Sequence, residues 1–208
     1  MKISVICASY LGDYLGAAKN REKKYIRAVN SFINQTYDNK ELIIVSDGCE
    51  KTKKIYEENW TNNKNIKLVM IPKQSILSGN VRNAGLMLAD GDIITYLDND
   101  DVIGKTHLQT IVEQFDKDWV YYDDYLVLDN TFKNFEKRWV QPKYGKIGTS
   151  SISHMNPKNC DLLKDLKWSD GYGHDYMFVL SLIQSGTEFK KLNKNPQYLV
   201  CHYRNADF

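Results

Sequence analysis

The sequence predicts an α/β fold: a mixed sheet flanked by helices, parallel and doubly wound in its first half, smaller and mixed in its second. Three observations predict it. From Ile3 to Val102 short apolar runs alternate with segments of helical period, the mark of strand–helix crossovers. After Lys105 the extended runs become irregular and rich in Tyr and Asp. Acids recur where apolar runs end, at Asp47 and at Asp98-Asn99-Asp100-Asp101, and open α/β sheets bind ligands at that edge.

Lys2 to Ala8 reads as the first strand, with Cys7 buried in it and Ser9-Tyr10 at its carboxyl end. Leu11 to Asn20 reads as a loop. Arg21 to Gln35 turns helical, with Ile26, Val29, Phe32 and Ile33 on one face. Tyr37-Asp38-Asn39 makes a turn. Glu41 to Ser46 is the second strand, ending in Asp47-Gly48. Lys51 to Asn62 is a helix with Ile55 inward, Ile66 to Ile71 a third strand, and Pro72 to Ser78 a loop. Gly79 to Ala89 forms the next helix, and Asp90-Gly91 ends it. Ile93 to Leu97 is a short apolar core strand.

In the second half, Lys105 to Phe115 is an amphipathic helix and Trp119 to Leu128 one strand. Trp139 to Pro142 and Lys146 to Met155 look extended. Tyr176 to Ser185 is a helix stopped by Gly186, and strands at Glu188 to Leu192 and Gln197 to Tyr203 follow. With no linker between the halves, residues 1–208 read as a single domain: about 1–104 a nucleotide-binding half, about 105–208 an acceptor and catalytic half.

The 208 residues carry a net charge of only +2, so no global field drives the chain to nucleic acid or membrane. The basic runs Lys19 to Arg27, Lys51 to Lys54 and Lys133 to Lys146 fit solvated faces better than binding patches. Cys7, Cys49, Cys160 and Cys201 lack metal-type spacing and read as reduced thiols, an expectation of a cytoplasmic protein. A strand beginning at Ile3 leaves no room for a signal peptide. No apolar run has the length of a membrane span.

Asp98 and Asp100 would point the same way on extended chain, about 6.6 Å apart at Cα. Two charges at that spacing repel by about 2.5 kcal/mol at an effective dielectric of 20. A cation relieves such a pair, and oxygen ligands on a loop suit Mg²⁺ or Mn²⁺ shared with a substrate phosphate. The plainer alternative is a solvated acidic turn in which Asp101 caps the next helix. Asp47 can accept from a base imide N–H, or serve only as a turn residue before Gly48. Tyr10 can pack on the base and Asp98 can accept from ribose hydroxyls. Arg82, at a helix start, can hold a phosphate or base carbonyl, or be an exposed helical Arg.

Several segments resemble glycosyltransferase family 2. Val5 to Tyr10 followed by Ala28 to Tyr37 is similar to its opening. Glu41 to Gly48 is similar to its second-strand motif, with Ser46 in place of the first acid of an Asp-Asp pair. Arg82-Asn83-Ala84-Gly85 and Tyr96 to Asp101 match its helix and Asp-X-Asp motifs. Gly173-His174-Asp175-Tyr176 resembles a later Glu-Asp motif, with His174 in place of Glu.

The resemblance implies a GT-A fold, a nucleotide-diphosphate sugar donor, a divalent cation (Mn²⁺ or Mg²⁺) and inversion at the anomeric carbon. It assigns Asp175 as catalytic base and Asp98 to the donor, and with the sheet-edge reading above Ser9, Tyr10, Asp47, Arg82, Asp98 and Asn99 are expected to bind the nucleotide sugar. Asp100 would bind metal, with His202 as a further ligand or simply a packed or surface His. Trp168, Asp170, Tyr172 and His174 would line an acceptor pocket, or be turn and core residues. The acceptor is expected to be a saccharide or lipid-linked saccharide hydroxyl; a modified DNA base is the bolder option. A nucleotidyltransferase is a rival, though Gly12 and Gly16 are too sparse for a triphosphate loop. A non-catalytic nucleotide-sugar binding module is another.

Overall fold

A computed structural model describes residues 1–14, 17, 19–74 and 79–201. Four strands lie parallel at one side of the main sheet: β1 (Ile3–Ser9), β2 (Lys40–Asp47), β3 (Ile66–Ile71) and β4 (Ile93–Tyr96). Helices α1 (Arg21–Ile33), α2 (Glu50–Asn59) and α3 (Gly79–Leu88) supply the crossovers. β1, β2 and β4 are buried along almost their whole length, as strands covered by helices on both faces must be.

α1 turns Tyr25, Ala28, Val29 and Phe32 to the core. Ile26 and Ile33, expected on that face, are only partly buried at its margin. Ile55 on α2 points inward as expected. Gly85 explains the small residue in the α3 motif: a Cβ there would lie 2.5 Å from the Ile6 side chain. The helix therefore packs directly on β1, and larger residues would lift it off.

The second half departs further from expectation. β5 (Val102–Ile103) and α4 (His107–Gln114) precede β6 (Trp119–Tyr121) and β7 (Asp124–Val127). The single strand expected over Trp119 to Leu128 is thus two strands in different sheets. The break falls where Asp123 and Asp124, both buried, turn inward to fixed partners. Asp123 takes Lys137, Lys191 and the Val140 N–H, and Asp124 takes Arg138 in a two-pronged pair at 2.6 Å.

β8 (Phe135–Arg138) replaces the extended run expected at Trp139 to Pro142. Thr149–Ser151 form one 3₁₀ turn before β9 (Ile152–Met155). α5 (His174–Gln184), β10 (Phe189–Lys191) and β11 (Tyr198–Val200) close the described chain. The main sheet runs β10-β6-β9-β4-β1-β2-β3, and a smaller sheet runs β5-β11-β7-β8. The second half is mixed, as expected: β9 is antiparallel to β4 and β6, while β10 is parallel to β6. Among the described residues no helix is long and apolar enough to cross a membrane. All four cysteines are free.

Candidate functional site

One edge of the main sheet gathers the chemistry. The register Ser9↔Ser46 brings the ends of β1 and β2 level, and β4 ends opposite Ile6, so that the residues after Tyr96 run on along β1 until Asn99 meets Ser9. A cavity of about 410 Å³ opens there, lined among others by Ser9, Tyr10, Asp47, Arg82, Asp98, Asn99 and Asp100. The expected convergence of Ser9-Tyr10, Asp47 and the acidic turn is therefore present.

Each side chain is held by the fold. Ser9 is buried, and its hydroxyl meets Thr52 at 3.0 Å and takes the Asn99 amide at 3.3 Å. Asp47 ends β2, and Gly48 follows with φ +61, the left-handed conformation that favours glycine. Asp47 accepts from Lys73 Nζ and from the Gln74 backbone N–H, both at 2.5 Å. Lys73 also lies 4.4 Å from the Tyr10 ring centre. Arg21 donates to the Tyr10 and Gly12 carbonyls and sits 4.7 Å from the Tyr14 ring centre. Lys73, Arg21 and Tyr14 also line the cavity, although Lys73 falls in a loop and Arg21 in a basic run that carry no binding motif.

The acidic segment turns instead of running on extended: the Asp101 N–H bonds back to the Asp98 carbonyl at 3.1 Å. Asp98 takes Arg82 at 2.9 Å. Arg82 is 5% exposed, which excludes the exposed helical Arg. Asp101 caps no helix; it points inward and accepts the Cys201 N–H at 2.7 Å. The Tyr198 hydroxyl donates to Asp101 and accepts the Asp98 N–H at 2.9 Å. Burial, then the charges of Asp100 and Asp98, push the Asp101 carboxyl well above the usual carboxylate range. Tyr198 and Asp101 fix the turn from beneath, and no motif announced them.

Beside Arg82 lies the start of α5. Arg82 Nη1 is 3.1 Å from His174 Nε2, and the same nitrogen is 3.0 Å from Asp175 Oδ1. Thr149, on the turn before β9, donates to Asp175 at 3.2 Å. Burial pushes the Asp175 carboxyl up, but the His174 hydrogen bond, the Arg82 charge and the Thr149 hydroxyl outweigh it, so its pKa lies below the ordinary value. The side chain retains 32% exposure, enough for a reacting group to reach it.

The residues expected in an acceptor pocket divide. Trp168 is 1% exposed and stacks on Phe178 at 3.9 Å. It is a core residue, and Arg82 rests over its ring at 5.0 Å. Asp170 is committed to the start of α3, accepting from the Asn80 N–H and side-chain amide at 3.3 and 2.5 Å. Tyr172 is 92% exposed on the loop before Asp175. His174 stands against Asp175 as described. Tyr144, not anticipated, packs edge-on to Tyr176 and covers Gly173.

For a cation, Asp98, Asn99 and Asp100 offer only oxygen and amide donors, the chemistry hard ions favour. Among the described residues no three His, Cys, Asp or Glu side chains cluster as a metal cage, so a bound ion would draw its other ligands from the substrate. His202 lies outside the described residues.

A mixed sheet, parallel in its first half, with flanking helices and a polar crevice at the carboxyl edge of its parallel strands fits a GT-A domain, and the comparisons agree. The model of Glycosyl transferase family 2 matches residues 17–184, and the chain belongs to that family. It is 26% identical to a chondroitin synthase of Escherichia coli over 199 residues, 91% of this chain and 29% of that protein. It superposes on Staphylococcus aureus TarS 1–349 in complex with UDP-GlcNAc with a TM-score of 0.72 at 19% identity, covering 99% of this chain and 60% of that one. A mannosyltransferase from Pyrobaculum calidifontis, in complex with GDP-Man and Mn²⁺, gives a TM-score of 0.66 at 14% identity, covering 99% and 58%. The chain spans about a third of the length of the curated relatives it matches.

Proposed function

We propose that the chain transfers a sugar from a nucleoside-diphosphate donor to an acceptor hydroxyl with inversion, Asp175 acting as general base. The carrying observation is Asp175 itself: half-open, ionised below the usual range, and joined through Arg82 to the Asp98 turn. An acceptor hydroxyl approaching Asp175 loses its proton to that carboxylate as its oxygen attacks the anomeric carbon. The leaving diphosphate departs on the side of the Asp98 turn, where the Arg82 guanidinium offers it positive charge. A divalent cation held by Asp100, when bound, neutralises further charge on that diphosphate. Inversion follows from placing base and leaving group on opposite faces of the sugar.

Asp47 and Lys73 favour uracil. An imide presents a donor flanked by two acceptors, which a carboxylate and an ammonium at 2.5 Å match. The relative seen with UDP-GlcNAc supports the same donor class. A saccharide or lipid-linked saccharide is the acceptor we favour, and four free thiols support a cytoplasmic location.

The test is a thermal-shift screen of UDP, GDP and their sugars with and without Mn²⁺. UDP at about a hundred times its dissociation constant should stabilise the fold by about 2.7 kcal/mol, and Mn²⁺ should deepen the effect. Asp100→Ala should lose the Mn²⁺ increment and keep the rest. Donor hydrolysis or transfer by the purified protein separates an enzyme from a binding module, and absence of both across the screen would sink the catalytic reading.

A further inference from the structure

We infer that the far end of the same sheet edge carries a second subsite, built by Trp139, Lys137 and Lys191, for a saccharide or polyol chain bearing phosphate or carboxylate groups. Naming that chain an acceptor rests on the glycosyl-transfer reading above; the binding itself does not.

A cavity of about 390 Å³ opens there, lined by Asp123, Lys137, Trp139, Lys191 and Asn195 among others. Trp139 is 71% exposed, whereas Trp60, Trp119 and Trp168 are 5%, 0% and 1% exposed. Lys137 Nζ lies 4.1 Å from the indole centre and Lys191 Nζ 5.5 Å. Both ammonium groups reach the buried Asp123 carboxylate, at 3.0 and 2.5 Å. Two positive charges against one negative leave a net positive charge facing the cavity. The neighbouring cations are engaged elsewhere: Lys190 with Asp116, and Arg138 with Asp124.

A clamp serving stability alone would bury the indole, because covering that ring is where the gain lies. Here the flat apolar surface stays in water with cations at its rim. That combination fits a ring whose C–H face stacks on indole while an anionic substituent meets ammonium.

Position ties the subsite to the crevice. β10 ends level with β6, β6 ends level with the start of β9, and β9 starts level with the end of β4. Lys191 is thus three strand spacings from β4 along one edge, about 14 Å. Thr149, which touches Asp175, lies between them. The segment joining Trp139 to Thr149 also carries Tyr144, 62% exposed beside Gly173. A chain lying along this edge would pass the base with its neighbouring unit on Trp139.

Because the other three tryptophans are buried, acrylamide quenching of tryptophan emission reads Trp139. The probes are a chondroitin hexasaccharide (carboxylates), short poly(glycerol phosphate) (phosphates), neutral maltohexaose, and single-stranded DNA of similar length. At least one of the two anionic glycan-type chains should lower the quenching constant about twofold, and about 0.5 M NaCl should abolish the protection. The pair of anionic arms decides between carboxylate and phosphate. By calorimetry, Trp139→Ala should weaken that probe about fivefold, with Lys137→Arg close to wild type. Unchanged melting temperatures would show that both variants fold. Asp175→Asn should bind the probe like wild type, so loss of the catalytic reading leaves this result standing. Protection by neither anionic chain, equal protection by maltohexaose, or protection by DNA alone would overturn the subsite.

Discussion

The Asp101 carboxylate accepts the backbone N–H of Cys201 at 2.7 Å, joining positions one hundred residues apart. This bond fastens the end of β11 beneath the turn that carries Asp98 and Asp100. The neighbouring Tyr198 hydroxyl reaches both Asp101 and the Asp98 N–H. Asp101→Ala should therefore strand two buried donors at a cost of about 2–3 kcal/mol. Asp101→Asn retains an acceptor for Cys201 and should unfold close to wild type. Urea midpoints for the two variants check this, and equal losses for both would show that the hydrogen bond is not what matters.

Asp175 gives a kinetic prediction. Only its ionised form can take a proton, and its pKa lies below the ordinary 3.8. Lowering the pH from 7 to 5 therefore should leave this group ionised and the transfer rate free of any loss due to it. The acid limb belongs below pH 3.8, where the carboxyl finally protonates. Asp175→Asn should reduce transfer by about 10²–10⁴ while UDP still raises the melting temperature. An acid limb centred near pH 6 would hand control to another group and end this assignment.

Much of the first half was legible because its signals are local. The apolar cores of β1, β2 and β4 are contiguous in sequence, and one carboxyl edge follows from parallel crossovers. The same logic sets Asp47, Arg82 and Asp98 around one crevice from sequence alone. The second half resisted for a physical reason: its decisive contacts are long-range ion pairs. Asp123 and Asp124 read as polar positions in one strand, yet Lys191 and Arg138 draw them inward and split it into two. Trp168 shows the same limit. Next to Asp170 and Tyr172 it looked like a pocket wall, but Phe178 and Arg82, distant in sequence, make it the floor beneath the site. Lys73 had no signal at all, since only the fold brings it to Asp47.

Glu41 should set part of the acid stability. It is 2% exposed at the start of β2. Burial pushes its carboxyl up, but Ser4, Lys67, the Asp90 N–H and Lys2 outweigh that and bring it down to about 2 from 4.5. Because the folded value lies below the unfolded one, the carboxylate stabilises the fold at neutral pH. That contribution, at most about 3 kcal/mol, is lost as pH falls from about 4.5 to about 2. Glu41→Gln should lower stability at pH 7 and flatten its decline across that window. Parallel decline in wild type and variant would assign the acid loss to other groups.

Tyr96 ends the strand that delivers the acidic turn, and its hydroxyl is the middle of a buried chain. Trp168 Nε1 donates to it at 3.0 Å, and it reaches His154 Nε2 at 2.8 Å. The other ring nitrogen, Nδ1, meets the Met155 carbonyl at 2.8 Å. This geometry puts the imidazole proton on Nδ1 and leaves Nε2 to accept from Tyr96. Burial holds His154 neutral, its pKa brought down to about 4, so the acceptor persists through the physiological range. Tyr96→Phe removes the shared oxygen and leaves both Trp168 N–H and His154 Nε2 without partners, at about 1–3 kcal/mol each. Since Trp168 supports Arg82, which holds Asp98, the same variant should also weaken UDP binding. A double variant with Asp98→Asn should show less than additive loss of UDP affinity, because both changes act on one supported contact. Full additivity would mean that the buried chain stabilises the fold without positioning Arg82.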